Sequence, residues 1–366
     1  MAALPTESQP STVAEIYRGY ERENREQHRL HLGASLIGRS CAREIWYTFR
    51  WADREHFDGR MLRLFASGHL QEPRLIADLR RIPGVTVAEK DPSTDKQWSF
   101  TAHGGHFGCS LDGAAVGLPE APKTWHSLEF KGVNQKTFDK IVKEGVAKAK
   151  PEHHAQMIVG MELAGLERCL YLVVNKNTDE IYGERVKADS KEAKRLLDRG
   201  LSIIQAKEPP ARISERFDWH ECKFCRFHSI CHGERAPEVN CRTCAHSAAN
   251  VHGAPRTGDK GGEWVCGHDM LKSMPVLGES LQRTGCSEHR YIPILLEKSC
   301  KPIDYVDGVV VYQTNDGEVF GNGDGKNGTF ASQEIRNATS PRALPPLAPV
   351  KADFPAAKVI PTEVAA

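Results

Sequence analysis

The chain has 366 residues, a net charge of +1 and a pI of about 7.6, so any surface for nucleic acid or another polyanion must be local rather than global. No apolar run approaches membrane-spanning length, and the first residues, which include Glu7, lack an apolar signal core; a soluble cytoplasmic protein without membrane association is expected. Eleven cysteines in such a chain argue for metal binding over disulfides.

Residues 1–10 read as a loose arm. A capping box, Thr12 with Glu15, then opens a charged, solvated helical run to about Leu30. Cys41 falls at the start of the next predicted helix, whose apolar residues are Ile45, Trp46 and Phe49; a lone Cys there is ordinarily a small core residue. Met61 to Ile82 has helical periodicity through Leu62, Phe65, Leu75, Ile76 and Leu79, and it places His69 and Glu72 three residues apart on one face. Val85–Glu89 and Gln97–Thr101 read as strands around a turn-rich Asp91–Asp95.

The most informative stretch runs from Phe107 to Val133. Phe107, Cys109 and Leu111 alternate, which sets Asp112 on the less apolar face of a strand. Leu128 and Phe130 alternate with Glu129 and Lys131, which therefore share the other face of a second strand. Gly117–Lys123 supplies the loop. In a hairpin centred on that loop, Asp112 and Glu129 are equidistant from its middle and come side by side. Two adjacent carboxylates repel each other unless a cation lies between them, and such oxygen ligands suit Mg²⁺ or Mn²⁺. A lysine beside them could hold an attacking water or offset charge on a phosphorane. A bare Glu-x-Lys, however, more often marks the solvated face of an edge strand.

Asn134 to Lys150 is rich in lysine (Lys136, Lys140, Lys143, Lys148, Lys150), either a solvated helix face or a contact for a DNA backbone. Pro151 opens a helix ended by Gly165, with Gln156 facing the sheet. Leu170–Asn175 and Glu180–Val186 read as strands and Ser190–Gln205 as a helix.

Cys222, Cys225 and Cys231 form a Cys-x2-Cys-x5-Cys set, a spacing that converges on metal and that packing does not require. Within this segment a four-thiolate site lacks one ligand. Cys241, Cys244, Cys266 and Cys286 form a second set, expected to bind Zn²⁺ in a small zinc-ribbon-like module; His268 and His289 are spare ligands and His246 a weaker one. Cys109, Cys169 and Cys300 are left over as inert. A hairpin follows across Asn315-Asp-Gly, joining Val309–Tyr312 to Gly317–Phe320, and the Pro- and Ala-rich end reads as a disordered tail.

Asp112 followed by Glu129-Phe-Lys131 resembles the signature of the PD-(D/E)XK nucleases, in the variant of RecB-type and phage exonucleases. Gly68-His-Leu-Gln-Glu72 resembles that family's first helical motif and Gln156 its last. A family tyrosine four residues after the glutamine is replaced here by Gly160. Early Cys41 with late Cys222, Cys225 and Cys231 resembles the split set of the iron-sulfur nucleases of CRISPR adaptation and of AddB.

The resemblance implies an α/β, restriction-endonuclease-like core with a mixed, mainly antiparallel sheet flanked by helices. It implies a metal-dependent DNA nuclease, an exonuclease of phage or bacterial recombination or repair, with a single-strand annealing or recombination protein as a further partner. Asp112 and Glu129 would hold the ion, Lys131 the water and Gln156 the substrate geometry. Glu72 or His69 would complete the metal shell, and Cys41, Cys222, Cys225 and Cys231 would ligate a [4Fe-4S] cluster, with zinc as the runner-up. The expected divisions are an arm and helix over 1–32, the nuclease over 33–235, the zinc-ribbon-like module and hairpin over 236–335, and the tail over 336–366. The rival reading is a non-catalytic DNA-binding or recombination-scaffold protein whose metal sites are structural; an iron-sulfur redox protein is opposed by the intact Asp-Glu-Lys set.

Overall fold

The fold is that of a computed structural model, which describes residues 11–24, 28–233, 235–253, 261–268 and 276–338. The expected arm over residues 1–10 and nearly all of the expected tail lie outside the described residues. The architecture is mixed α/β, and the chain divides into two compact units that interleave along the sequence. One comprises the N-terminal residues to His28 with Glu55–Phe100 and Ser110–Ser190; the other comprises Arg29–Arg54, Thr101–Cys109 and Lys191 onward. This division differs from the contiguous segments expected from the sequence. Among the described residues no helix is long and apolar enough to cross a membrane.

The first unit is built on five strands: β1 (Thr86–Ala88), β2 (Gly113–Val116), β3 (His126–Val133), β4 (Arg168–Asn175) and β5 (Ile181–Lys187). They lie side by side in sequence order; β3 and β4 are parallel, and the other neighbours are antiparallel. Helices α1 (Thr12–Glu23), α2 (Gly59–His69) and α3 (Gln71–Arg80) precede the sheet, while α4 (Gln135–Glu144), α5 (Val146–Ala149) and α6 (Pro151–Ala164) form the β3 to β4 crossover. A parallel pair needs such a crossover, because a tight turn can only reverse the chain.

One face of the sheet carries Ala115, Leu128, Phe130, Leu170 and Val174, packed against Leu75, Ile76 and Leu79 of α3. The opposite face is crossed by α6, which packs against β3, β4 and β5. Covered on both sides, β3 is buried at five successive residues from His126 to Phe130. Helix α6 has Pro151 at its first turn, where the missing N–H costs nothing, and ends at Gly165 in the left-handed region, as expected.

Several expected boundaries move. The helix over 61–82 is two helices broken at Leu70, because Leu70 caps α2 and starts α3. The first helix is capped by Ser11 through the Ala14 N–H rather than by Thr12, and it ends at Glu23, short of Leu30. The lysine-rich helix is interrupted at Gly145, whose φ of 75° no side-chain-bearing residue adopts readily. The hairpin partner of β3 is Gly113–Val116; Phe107–Gly108 instead runs parallel to Leu32–Gly33 in the second unit.

In the second unit the helix Ala42–Phe49 buries Ile45, Trp46, Tyr47 and Phe49. Arg242, wholly buried, hydrogen-bonds the carbonyls of Phe49 at 3.0 Å and Leu30 at 2.9 Å and stacks 3.6 Å over the Trp51 ring. These partners satisfy a cation whose burial would otherwise be costly. Ser247–Asn250 pairs antiparallel with Glu263–Cys266. The expected hairpin is present as Val309–Thr314 against Val319–Gly323, and it is joined by an edge strand, Cys300–Val306, that sequence reading missed.

Candidate functional site

The register of β2 on β3 pairs Gly113 with Leu128, and one step back along that register sets Asp112 opposite Glu129, as the hairpin argument expects. Two backbone contacts fix the position: Asp112 N–H donates to the Leu128 carbonyl at 3.3 Å, and Phe130 N–H donates to Asp112 Oδ2 at 2.7 Å. The edge-strand alternative for Glu-x-Lys does not hold. β3 is the middle strand, and Glu129 is 3% exposed.

Glu129 is bonded at both oxygens. Lys131 Nζ donates to Oε1, and Gln156 Nε2 of α6 donates to Oε2 at 2.9 Å. Gln156 thus faces the sheet as expected. The Lys131 side chain is 29% exposed, which keeps this corner open to an incoming ligand.

Burial, followed by the neighbouring Glu129 charge, pushes Asp112 up from 3.8 to about 7, with Lys131 pulling the other way. Burial also raises Glu129, against the opposing pull of Lys131. For Lys131 burial favours the neutral amine, but Glu129, Asp112 and Glu72 together outweigh it and hold the ammonium charged. Glu72 contributes to all three shifts from the first turn of α3. His69 is brought within 3.8 Å of Glu72, yet its side chain is 74% exposed at the end of α2. The site therefore gathers Asp112, Glu129, Lys131 and Gln156, with Glu72 in electrostatic range and His69 at the rim.

Among the described residues no three Cys, His, Asp or Glu side chains stand grouped as a ready metal cage. At this site Lys131 lies against Glu129. The donor set nevertheless suits a hard cation: the Glu129 and Glu72 charges raise Asp112, and the Glu72 charge raises Glu129, a repulsion that a divalent ion relieves.

Sequence reading overlooked neighbours of the site. Tyr171 is the register partner of Glu129 on β4, and His153 of α6 lies 2.7 Å from its hydroxyl. His153 precedes Gln156 by three residues, a helical spacing that could have signalled it; Tyr171 could not be placed without the β3 to β4 register. Gln71, which opens α3, has a buried Oε1 without a hydrogen-bond partner among the described residues.

Two sets of four cysteines each line a common cavity within the second unit. Cys41, Cys222, Cys225 and Cys231 line one cavity of about 40 Å³ together with Arg43 and Arg212. Cys41 caps the helix Ala42–Phe49, its sulfur accepting the Glu44 N–H at 3.4 Å. Cys241, Cys244, Cys266 and Cys286 line another, of about 10 Å³, with His246, His268 and His289. Burial pushes Cys225 up to about 11, against a pull from the Phe227 N–H, and Cys244 up to about 11, against the N–H groups of Arg290 and His246. Burial and then the Cys244 sulfur push Cys241 up to about 12. His268 N–H reaches the Cys266 sulfur at 3.5 Å. The spare ligand His289 is turned to Thr243 at 3.2 Å. Cys109, Cys169 and Cys300 are buried, in keeping with small core residues.

No family model matches the chain, and no curated protein matches it. Solved structures similar to it include the alkaline exonuclease LHK-Exo of Laribacter hongkongensis, at 18% identity and a TM-score of 0.36 over 51% of this chain and 90% of that one. LHK-Exo in complex with dAMP gives 19% identity and 0.35 over 52% and 89%. SSO0001 gives 14% and 0.37 over 61% and 98%. Similarity at this level establishes neither a family nor an activity, and the bearing on function comes from the chain's own side chains.

Proposed function

We propose that the chain is a divalent-metal-dependent DNA nuclease acting at the Asp112, Glu129, Lys131 and Gln156 corner of the first unit. The observation that carries this reading is the pair of adjacent, desolvated carboxylates on neighbouring strands, one bonded to a lysine that stays open to solvent. Structural ion pairs are built to neutralise; here two or three carboxylates face one ammonium.

Asp112 and Glu129 would hold Mg²⁺ or Mn²⁺, with Glu72, whose charge acts on both, favoured over His69 as the further ligand. When bound, such an ion supplies Lewis acidity toward a phosphoryl oxygen and lowers the pKa of a water. Lys131 keeps its proton because of its acidic neighbours, so it can orient that water or offset charge on the phosphorane. Gln156 holds the Glu129 carboxylate with its amide N–H and leaves Oε1 to accept from a water. The water gives up a proton to solvent as its oxygen forms the new bond to phosphorus, the bond to the leaving sugar oxygen breaks with its electron pair left on that oxygen, and the oxygen takes a proton from solvent. The resemblance stated above favours an exonuclease of phage or bacterial recombination or repair.

The cysteine cavities are read as structural sites. Cys41, Cys222, Cys225 and Cys231 would ligate [4Fe-4S], or zinc as the runner-up, with Arg43 and Arg212 offsetting thiolate charge. Cys241, Cys244, Cys266 and Cys286, which line one cavity, would hold one Zn²⁺ through four thiolates.

The nuclease reading is tested with end-labelled single- and double-stranded DNA in Mg²⁺ or Mn²⁺. Wild type should cut, and Lys131→Met, which matches length without charge, should bind DNA but cut it orders of magnitude more slowly. Binding by both with cutting by neither would replace the nuclease with a DNA-binding scaffold.

A further inference from the structure

The polar row on the sheet continues past the carboxylates. Tyr171 is the register partner of Glu129, and Glu184 that of Tyr171. Tyr171 has no exposed surface, and its hydroxyl lies 2.7 Å from Nδ1 of His153. His153 sits one helical turn before Gln156, on the face of α6 that brings Gln156 to Glu129. We propose that His153 is a substrate-positioning residue: Tyr171 fixes the imidazole with its proton on Nε2, and that N–H is a neutral donor to a non-bridging oxygen of a DNA phosphate beside the scissile one. The proposal rests on the nuclease reading above.

The tautomer follows from counting protons. Tyr171 has a single hydroxyl proton, and His153 Nδ1 is the hydroxyl's hydrogen-bond partner. A proton on Nδ1 would leave the buried hydroxyl hydrogen without an acceptor among the described residues; donation from the phenol to Nδ1 satisfies both groups and puts the ring proton on Nε2. Burial, with the Glu129 and Glu184 charges adding to it, raises Tyr171 and keeps the phenol a donor. Burial and then the charge of Lys131 push His153 down to about 4, with Lys150 acting the same way and Glu152 opposing. The ring is therefore neutral at working pH. It is only partly buried, and its hydrogen bond among the described residues is made at Nδ1, which leaves Nε2 for a ligand. Lys131 then supplies the charge that attracts phosphate, while His153 supplies direction without adding a second cation to repel it.

The test compares steady-state cleavage by wild type, His153→Ala, His153→Gln and Tyr171→Phe. In His153→Ala, KM should rise about tenfold with kcat changed by less than about threefold, the pattern of a lost ground-state contact. The Gln amide reaches close to the Nε2 position and should restore most of the loss. Tyr171→Phe should raise KM less, since the released ring divides between tautomers. A residue that only packs α6 would lower thermal stability and leave KM unmoved. Histidine ¹⁵N NMR of the resting protein gives a second readout that is independent of cleavage: the wild-type resonance missing from the His153→Gln spectrum should belong to an Nε2–H tautomer. Wild-type KM in His153→Ala, or an Nδ1–H tautomer in wild type, overturns the proposal while leaving the nuclease reading standing. Wild type that cuts no DNA removes both.

Discussion

Asp112→Asn removes one desolvated charge and keeps both size and the oxygen that accepts the Phe130 N–H at 2.7 Å. Burial, and after it Glu129, raises the Asp112 carboxyl from 3.8 to about 7. The folded chain then holds this proton more tightly than the unfolded chain does. The group favours folding fully below about pH 4, and that contribution is lost as pH rises through about 7. A rise of about three pH units at about 1.4 kcal/mol each sets a ceiling of about 4 kcal/mol on the cost of the ionised carboxylate. Asp112 is only partly buried by area, and Lys131 opposes the shift, so the gain for Asp112→Asn at pH 8 in EDTA should be about 1 to 3 kcal/mol. Thermal melts of wild type and variant at pH 4, 6 and 8 measure it. The variant should melt higher at pH 8 and level with wild type at pH 4. Added Mg²⁺ or Mn²⁺ should raise wild type alone, because an ion bound only by the folded chain stabilises it by linkage. A variant that melts lower at pH 8, or a difference independent of pH, refutes the electrostatic reasoning; cleavage at the wild-type rate refutes the site.

Glu72→Gln should weaken metal-dependent activation about ten- to a hundredfold, read as the Mn²⁺ concentration for half-maximal cleavage, while His69→Ala should shift it less than about twofold. Equal effects would place His69 in the shell beside Glu72. Protein purified without oxygen should absorb broadly near 400 nm through sulfur-to-iron charge transfer, and Cys41→Ser should bleach it and lower its melting temperature. Colourless protein with zinc in its place would select the runner-up. Cys241→Ser should keep the colour and lose about one equivalent of zinc by elemental analysis, as a four-ligand site requires; unchanged zinc would remove that site.

The hairpin register was legible because β-strand alternation has a period of two: once Gly117–Lys123 is taken as the loop, Asp112 and Glu129 have nowhere to go but opposite each other. Helix α6 was legible from Pro151 and Gly165, and with it the inward aim of Gln156. The break at Leu70 was not, since no Gly or Pro marks it and both halves keep apolar residues at helical spacing. Nor was the pairing of Phe107–Gly108 with Leu32–Gly33: an alternating strand states which face is apolar but not which strand it joins. Tyr171 was hidden for the same reason, because only the parallel register of β3 on β4, set by a long crossover, brings it beside Glu129.

A strand in the middle of a sheet covered on both sides ordinarily reads as a continuous apolar run. β3 departs from that rule at His126, Ser127 and Glu129, all buried. An apolar residue at 129 would pack between β2, β4 and α6 without the desolvation that the carboxylate suffers there. The hydrogen bonds around the site orient its charges but do not balance them. Phe130 N–H and the Gln156 amide are neutral donors, and His153 is kept neutral by burial and Lys131. Among the described residues Lys131 is the one ammonium in direct contact, and it is committed to Glu129. With Asp112, Glu129 and Glu72 ionised, two negative charges remain without an internal match. A potassium or sodium ion would meet half of that, and a second lysine would give up part of its solvation on entering the corner. A small divalent cation meets it with one atom, and for that reason the imbalance is read as a metal site instead of a poorly paired salt bridge.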